Sequence, residues 1–206
     1  MDEGASQSVS HNADLILVRR AQKGDIRAFD LLVFKYQNKV AALISRLVGD
    51  PHEVQDLTQE TLIKAYRGLA SFRSDSAFYT WLYRIAVNTA KNHLTTQQAR
   101  YYRQGVSLDQ AEQLDQDSHW LQDETTPENS LSGQRLNSAI HQAIKELPDE
   151  LRMTLQLREF DGLSYEEIST VLESPVGTIR SRIFRAREAV DKKIRPLMMN
   201  TVQMKA

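Results

Sequence analysis

"LSYEEISTVLESPVGTIRSRIFRAR", residues 163–187, carries two helical patterns separated by a break. It opens on a complete helix start. Ser164 can accept a hydrogen bond from the backbone of Glu167, the Glu167 side chain can return one, and Leu163 with Ile168 can staple the turn from outside. "ESPVG" (173–177) breaks the helical spacing, and a second helix is expected from about Val176 to Lys193. Val176, Ile179, Ile183, Ala186 and Val190 share one face of it and can pack on Ile168, Val171 and Leu172. Ser181, Phe184, Arg185 and Glu188 lie opposite, with Arg180 and Arg187 on one flank and Arg182 on the other. Two helices joined by such a turn form a helix-turn-helix.

Four arginines fall between positions 180 and 187. Taken alone they fit a solvated surface as well as a nucleic-acid contact. The capped helix and turn before them favour DNA reading. Phe184 would point to solvent, which is costly unless something covers the ring, and a thymine methyl or sugar edge in the major groove would do so. The turn at Gly177 and Thr178 offers backbone N–H groups to a phosphate.

Outward from this segment, the totals are those of an ordinary globular chain: 206 residues, 41% hydrophobic and 26% charged, with a net charge of −1. With no cysteine, disulfides, thiol catalysis and cysteine zinc sites are excluded. The histidines show no metal-ligand spacing, and no cofactor, metal or catalytic residue is expected. No apolar run has the length of a membrane span, and the first residues do not read as a secretory signal. A cytoplasmic protein is the expectation.

Near-neutrality conceals segregation. Residues 61–103 hold seven Lys or Arg against one acid, Asp75, and residues 175–195 hold seven against two. No basic residue lies between Arg103 and Arg135, a stretch with seven acidic residues. The order basic, acidic, basic marks the outer blocks as candidate nucleic-acid surfaces.

The fold class expected is all-α: two small helical domains joined by a flexible acidic linker, the C-terminal one a helix-turn-helix domain. Residues 1–13 read as a disordered lead-in, 14–103 as the first domain, 104–134 as the linker, 135–197 as the second domain and 198–206 as a tail. In the first domain a short helix is expected over Asp14–Gln22. Asp25 caps a helix carrying Phe29, Leu32, Val33, Tyr36, Val40, Leu43, Ile44 and Leu47 at helical spacing, which Gly49 ends. Asp50-Pro51 starts the next helix. "SFRSDSA" (71–77) reads as a loop before a long helix from about Phe78 to Thr96. In the second domain Leu136, Ala139, Ile140, Ala143, Ile144 and Leu147 form a stripe, and Pro148 opens the helix that precedes Leu163.

Eight of the fifteen aromatic residues lie within 66–102, interleaved with Arg67, Arg73, Arg84, Lys91 and Arg100. Cations that track a backbone beside rings that accept unstacked bases suit a single strand. Trp81 with Ile85 and Phe78 with Leu82 have core spacing. Asn88, midway along that helix, can offer donor and acceptor to a base edge, or serve as a buried amide satisfied inside the bundle.

"DLTQETLIKAYRGLASFRSDSAFYTWLYRIAVNTAKNHL" (56–94) and "LPDELRMTLQLREFDGLSYEEISTVLESPVGTIRSRIFRAREAV" (147–190) closely resemble the two domains of extracytoplasmic-function sigma factors, nearest the sigma-E type. The resemblance implies a transcription initiation factor that is not an enzyme and takes no small-molecule substrate. It would bind core RNA polymerase at the clamp coiled coil and the flap, recognise promoter DNA through two elements, and serve a stress response. Asp56, Gln59, Glu60, Lys64 and Arg67 match the face that docks the clamp, although charges on a helix are ordinarily just solvated. Phe72 with loop residues Arg73, Ser74 and Asp75 would hold an extruded minus-ten base, Asn88 would contact it, and Arg84 and Lys91 would hold phosphates. Gly177, Thr178, Arg180, Ser181, Phe184 and Arg185 would read the minus-thirty-five element. A membrane-anchored anti-sigma factor is expected as a further partner, with the protein cytoplasmic or held at the inner membrane by it. The linker would thread an RNA channel as an acidic strand; Trp120 has no assigned role. From the residues alone, a stand-alone helix-turn-helix regulator remains the alternative, and a helical nuclease lacks candidate groups.

Overall fold

A computed structural model describes residues 3–48, 50–103 and 131–203. The chain divides into two compact units, Met1–Trp120 and Leu121–Ala206. Eight α-helices and one short 3₁₀ turn make up the described residues, with no strand among them.

The first unit holds α1 (Glu3–Gln22), α2 (Ile26–Val48), α3 (Pro51–Gly68), the 3₁₀ turn Leu69–Ser71 and α4 (Phe78–Arg103). Asp25 Oδ1 accepts from the Ala28 N–H at 3.2 Å, starting α2 as its position predicts. Asp50 caps α3 by accepting from the His52 N–H, with Pro51 supplying a pre-set first turn. The stripe predicted on α2 is the core: Phe29, Leu32, Tyr36, Val40, Leu43 and Ile44 are buried, together with Leu57 and Ala65 of α3 and Phe78, Leu82, Ala86, Val87 and Ala90 of α4. Asp14 of α1 is also buried, with its carboxylate accepting from Lys35 and Tyr36 of α2. A buried carboxylate without partners would be prohibitive, so this pairing fixes α1 on α2.

Several boundaries differ from expectation. The lead-in predicted as disordered over 1–13 is helical from Glu3, because nothing between Gly4 and Gly24 stops a helix from extending backward from the packed turns. α4 continues past Thr96 to Arg103, since "QQARYYR" contains no breaker and Gly105 is the first glycine beyond it. The predicted linker 104–134 lies outside the described residues except at its end, where α5 already begins at Leu131. Gly49 and Trp120 also lie outside them.

The second unit holds α5 (Leu131–Lys145), α6 (Asp149–Glu159), α7 (Tyr165–Leu172) and α8 (Val176–Gln203). The Ser164–Glu167 capping box is complete in both directions, at 3.1 and 2.8 Å, and Leu163 and Ile168 are both buried. α7 ends on Glu173 in the left-handed region at φ 52°, and Ser169 Oγ donates to the Ser174 carbonyl across the turn at 2.6 Å. Ile179, Ile183 and Ala186 of α8 are buried as predicted. Val190 packs further down, with Leu147, Ile144, Leu151 and Leu155 of the α5–α6 segment. α8 runs on through Pro196 to Gln203, well beyond Lys193 and into the predicted tail. One proline removes one hydrogen bond, and the Met- and Leu-containing segment after it favours helix.

Candidate nucleic-acid interface

The arginines of α8 divide into two kinds. Arg182 reaches back to Glu150 of α6 at 2.5 Å and to Ser174 Oγ in the turn at 3.3 Å. Arg187 donates from two nitrogens to Glu159, and this bonding holds its guanidinium above the ordinary arginine value. These two therefore clamp α8 onto α6. Arg185 is exposed and makes no hydrogen bond or ion pair among the described residues. Arg180 is also exposed, with its guanidinium 5.8 Å from the ring centre of Tyr165. Arg158 lies over the same ring at 5.0 Å and donates to the Leu163 carbonyl at 2.7 Å. Tyr165 and Arg158 were missed from sequence, where nothing shows that a tyrosine at the start of α7 sits between two guanidinium groups.

Phe184 is 68% exposed, on the surface between Ser181 and Arg185. Ser181 Oγ donates to the Gly177 carbonyl at 3.0 Å, and Gly177 and Thr178 stand exposed in the first turn. The first N–H groups of a helix have no partner within it and point back along its axis toward its start. All six minus-thirty-five candidates therefore share one solvent-facing end and side of α8.

In the first unit the minus-ten candidates part company. Asn88 and Lys91, one turn apart on α4, are exposed, so the buried-amide reading of Asn88 does not hold. Arg84, one turn earlier, is half-buried. Arg73, Ser74 and Asp75 are exposed in the loop, with Ser74 at φ 60°. Phe72 differs from expectation. It is only 7% exposed, and its ring packs 5.0 Å from Trp81 and 6.0 Å from Phe78. Burial of three aromatic rings together outweighs leaving one in water, so Phe72 is the floor beneath the loop and offers no free face to a base.

The docking candidates lie along α3. Asp56, Gln59, Glu60 and Arg67 are exposed. Lys64 pairs with Glu60 at 2.7 Å and donates to Thr89 of α4 at 3.2 Å, so it is partly spent inside the unit. Among these charges sit Ile63, 51% exposed, and Tyr66, whose ring meets Phe29 edge-on at 5.0 Å. On α2 Phe34 is 78% exposed. The available signal was an apolar residue off the helix stripe. Apolar anchors ringed by charge are the usual anatomy of a protein interface.

Residues 32–100 match the family described as Sigma-70 region 2, and residues 137–190 match Sigma-70, region 4. The chain is 54% identical over 190 residues to the RNA polymerase sigma-H factor of Pseudomonas aeruginosa, covering 92% of this chain and 98% of that one. It is likewise 54% identical to the ECF RNA polymerase sigma-E factor of Escherichia coli K12, over 90% of this chain and 96% of the relative. It belongs to the ECF sigma factor family. Two solved structures share the fold at 24% identity: CnrH in complex with the cytosolic domain of CnrY (TM-score 0.62; 87% of this chain, 96% of that one), and the sigma factor RpoE with the anti-sigma factor NepR from Bartonella quintana (TM-score 0.57; 81% and 96%). As a sigma factor the chain is a transcription initiation factor. Region 2 takes in the loop, Asn88 and the α3 face, and region 4 takes in the helix-turn-helix.

Proposed function

We propose that this sigma factor grips two promoter elements with two separate surfaces, and does so as part of an RNA polymerase holoenzyme. The exposed side of α8 at Gly177, Thr178, Arg180, Ser181, Phe184 and Arg185 reads the minus-thirty-five element in the major groove. The loop at Arg73, Ser74 and Asp75, with Asn88, Arg84 and Lys91 of α4, receives the opened minus-ten strand, and Phe72 supports the loop from beneath. Asp56, Gln59, Glu60, Lys64 and Arg67 surround Ile63 and Tyr66 as the polymerase-docking face toward the clamp coiled coil. The second unit meets the flap.

The observation that carries this reading is Phe184, a large ring left in solvent beside exposed Arg180 and Arg185, the latter without a partner among the described residues. A stable helix has no reason to present that combination to water, and a groove floor has partners for each part of it. Free affinity is small because few phosphates are neutralised and the net charge is −1. Polymerase ties both surfaces to one template, so weak contacts combine through effective concentration. Opening the strand costs a few kcal/mol per extruded base, which the loop and the complex must offset.

A protein partner that covers these faces would silence the factor, and the two solved structures named above each hold a protein partner. We assign that role here to a membrane-anchored anti-sigma factor, with the sigma factor itself in the cytoplasm and serving an envelope-type stress response. The chain performs no catalysis of its own and needs no cofactor. Run-off transcription with purified core polymerase tests the reading: transcripts that start only when the chain is added support it, and a chain that binds promoter DNA but starts no transcript with core enzyme would make it a stand-alone regulator.

A further inference from the structure

We propose that Gln22, the last residue of α1, is a positioning residue for the loop that receives the extruded minus-ten base; the inference rests on the assignment of that loop above. The Gln22 side-chain nitrogen donates to the backbone carbonyls of Leu69 and Phe72, each at 2.9 Å. An amide NH₂ carries two hydrogens, so one group serves both acceptors and holds them in fixed register. Both bonds are partly buried; the Leu69 carbonyl also accepts from the Phe72 N–H, so the Phe72 carbonyl is the acceptor that loses most without Gln22.

The two carbonyls flank the entry to the loop. Phe72 is consequently held at every point: its ring by Phe78 and Trp81, its N–H by the Leu69 carbonyl at 3.1 Å, and its own carbonyl by Gln22. Two residues later Ser74 sits in the left-handed region, a conformation that a serine keeps only when its surroundings hold it there. The far end of the loop is closed by Phe78, 1% exposed, at the start of α4. A pocket for a single base discriminates best when it is formed before the base arrives, because ordering on binding subtracts from affinity and blurs the choice among bases. Gln22 supplies the anchor that the loop's own element cannot. It comes from a helix 47 and 50 residues earlier in the chain that carries none of the proposed DNA contacts.

The test uses holoenzyme reconstituted with core polymerase and a pool of premelted promoter forks randomised over the single-stranded minus-ten positions, with the bound fraction sequenced. Gln22→Met keeps the length and removes the donors; Gln22→Lys keeps a donor. Gln22→Met is expected to lower the preference for the favoured base at the extruded position by about fivefold, in keeping with the loss of two ordinary hydrogen bonds. Gln22→Lys should retain most of that preference, and in a separate pool randomised over the minus-thirty-five element neither variant should change selection. Gln22→Asn, one methylene short, gives the same readout in milder form should the methionine variant not fold. Base preferences unchanged in Gln22→Met, with only a lower melting temperature, would make Gln22 merely structural and overturn the inference. Asn88→Ala is run alongside. If it too leaves the preferences unchanged, the minus-ten assignment falls and this inference with it; if it abolishes them while Gln22→Met does not, the inference falls alone.

Discussion

Arg187 and Glu159 are joined through two guanidinium nitrogens on one carboxylate oxygen, at 3.0 and 2.6 Å, while Arg185, two residues before Arg187, has no such partner among the described residues. Neighbouring arginines of one helix thus do different work. Arg187 and Arg182 orient α8, and Arg185 is left for a ligand. Arg185→Ala should weaken binding of holoenzyme to the minus-thirty-five element by about 1–3 kcal/mol if it reads a base, with the melting temperature unchanged. Arg182→Ala should do the reverse: a small loss of stability, about 1 kcal/mol or less because its Glu150 partner is largely exposed, before any loss of specificity. Competition between promoter and random DNA separates them; equal loss on both DNAs for Arg185→Ala would reassign that residue to a phosphate.

Asn88 stands exposed on α4 with Lys91 one turn on and the loop at its N-terminal side. Asn88→Ala should therefore reduce open-complex formation more than closed-complex binding. Permanganate reactivity of unpaired thymines measures this directly, and footprints equal to those of wild type would contradict the assignment.

The α3 face has an apolar centre that charge-based reasoning passed over. Ile63→Ala should weaken the complex with core polymerase by about 1 kcal/mol or more, the usual size for an anchor within a charged rim. Gln55→Ala, beside the face but outside the proposed contact set, should leave it unchanged. Titration of labelled protein with core enzyme is the measurement, and equal affinities for Ile63→Ala and wild type would remove Ile63 from the interface.

Much of this architecture was legible in the chain because it is local. The capping box at Ser164 and Glu167, the proline start at Asp50-Pro51 and the buried stripes of α2 and α8 are set by residues three or four apart. The exposure of Phe184 follows from the same periodicity. What was not legible depends on contacts outside helical spacing, some of them far along the chain. Phe72 sits beside Arg73 in a stretch that reads as a loop, and only the arrival of Trp81 and Phe78 turns its ring inward. Glu150 and Glu159 lie 32 and 28 residues from the arginines they hold, so no spacing rule separates the clamping arginines from the reading ones. Gln22 meets its acceptors across a still longer interval. Helix ends failed for a different reason: extending an existing helix is easy, so polar ends at Glu3 and Gln203 need no apolar stripe.

The turn between α1 and α2 has a pH signature. Asp25 lies below the ordinary carboxylate range, chiefly because Arg20 donates to it from two nitrogens at 2.9 and 2.7 Å, with the backbone N–H of Ala28 adding to the effect. The folded chain therefore binds this proton less readily than the unfolded chain. The stabilisation is present above the ordinary carboxylate value and is lost as pH falls through the lowered folded value. Carboxyl-carbon NMR should show the Asp25 midpoint rising in Arg20→Gln, and more weakly in high salt; a midpoint that does not move would assign the shift to the backbone bonds alone.

The most direct test of two DNA-reading surfaces that act through polymerase is a footprint of one promoter under three conditions: the sigma factor alone, core enzyme alone, and both together. Protection of two separated segments, with reactive thymines only in the downstream one and only in the mixture, is the predicted result. A free sigma factor that protects both segments and opens the downstream one without core enzyme would contradict it.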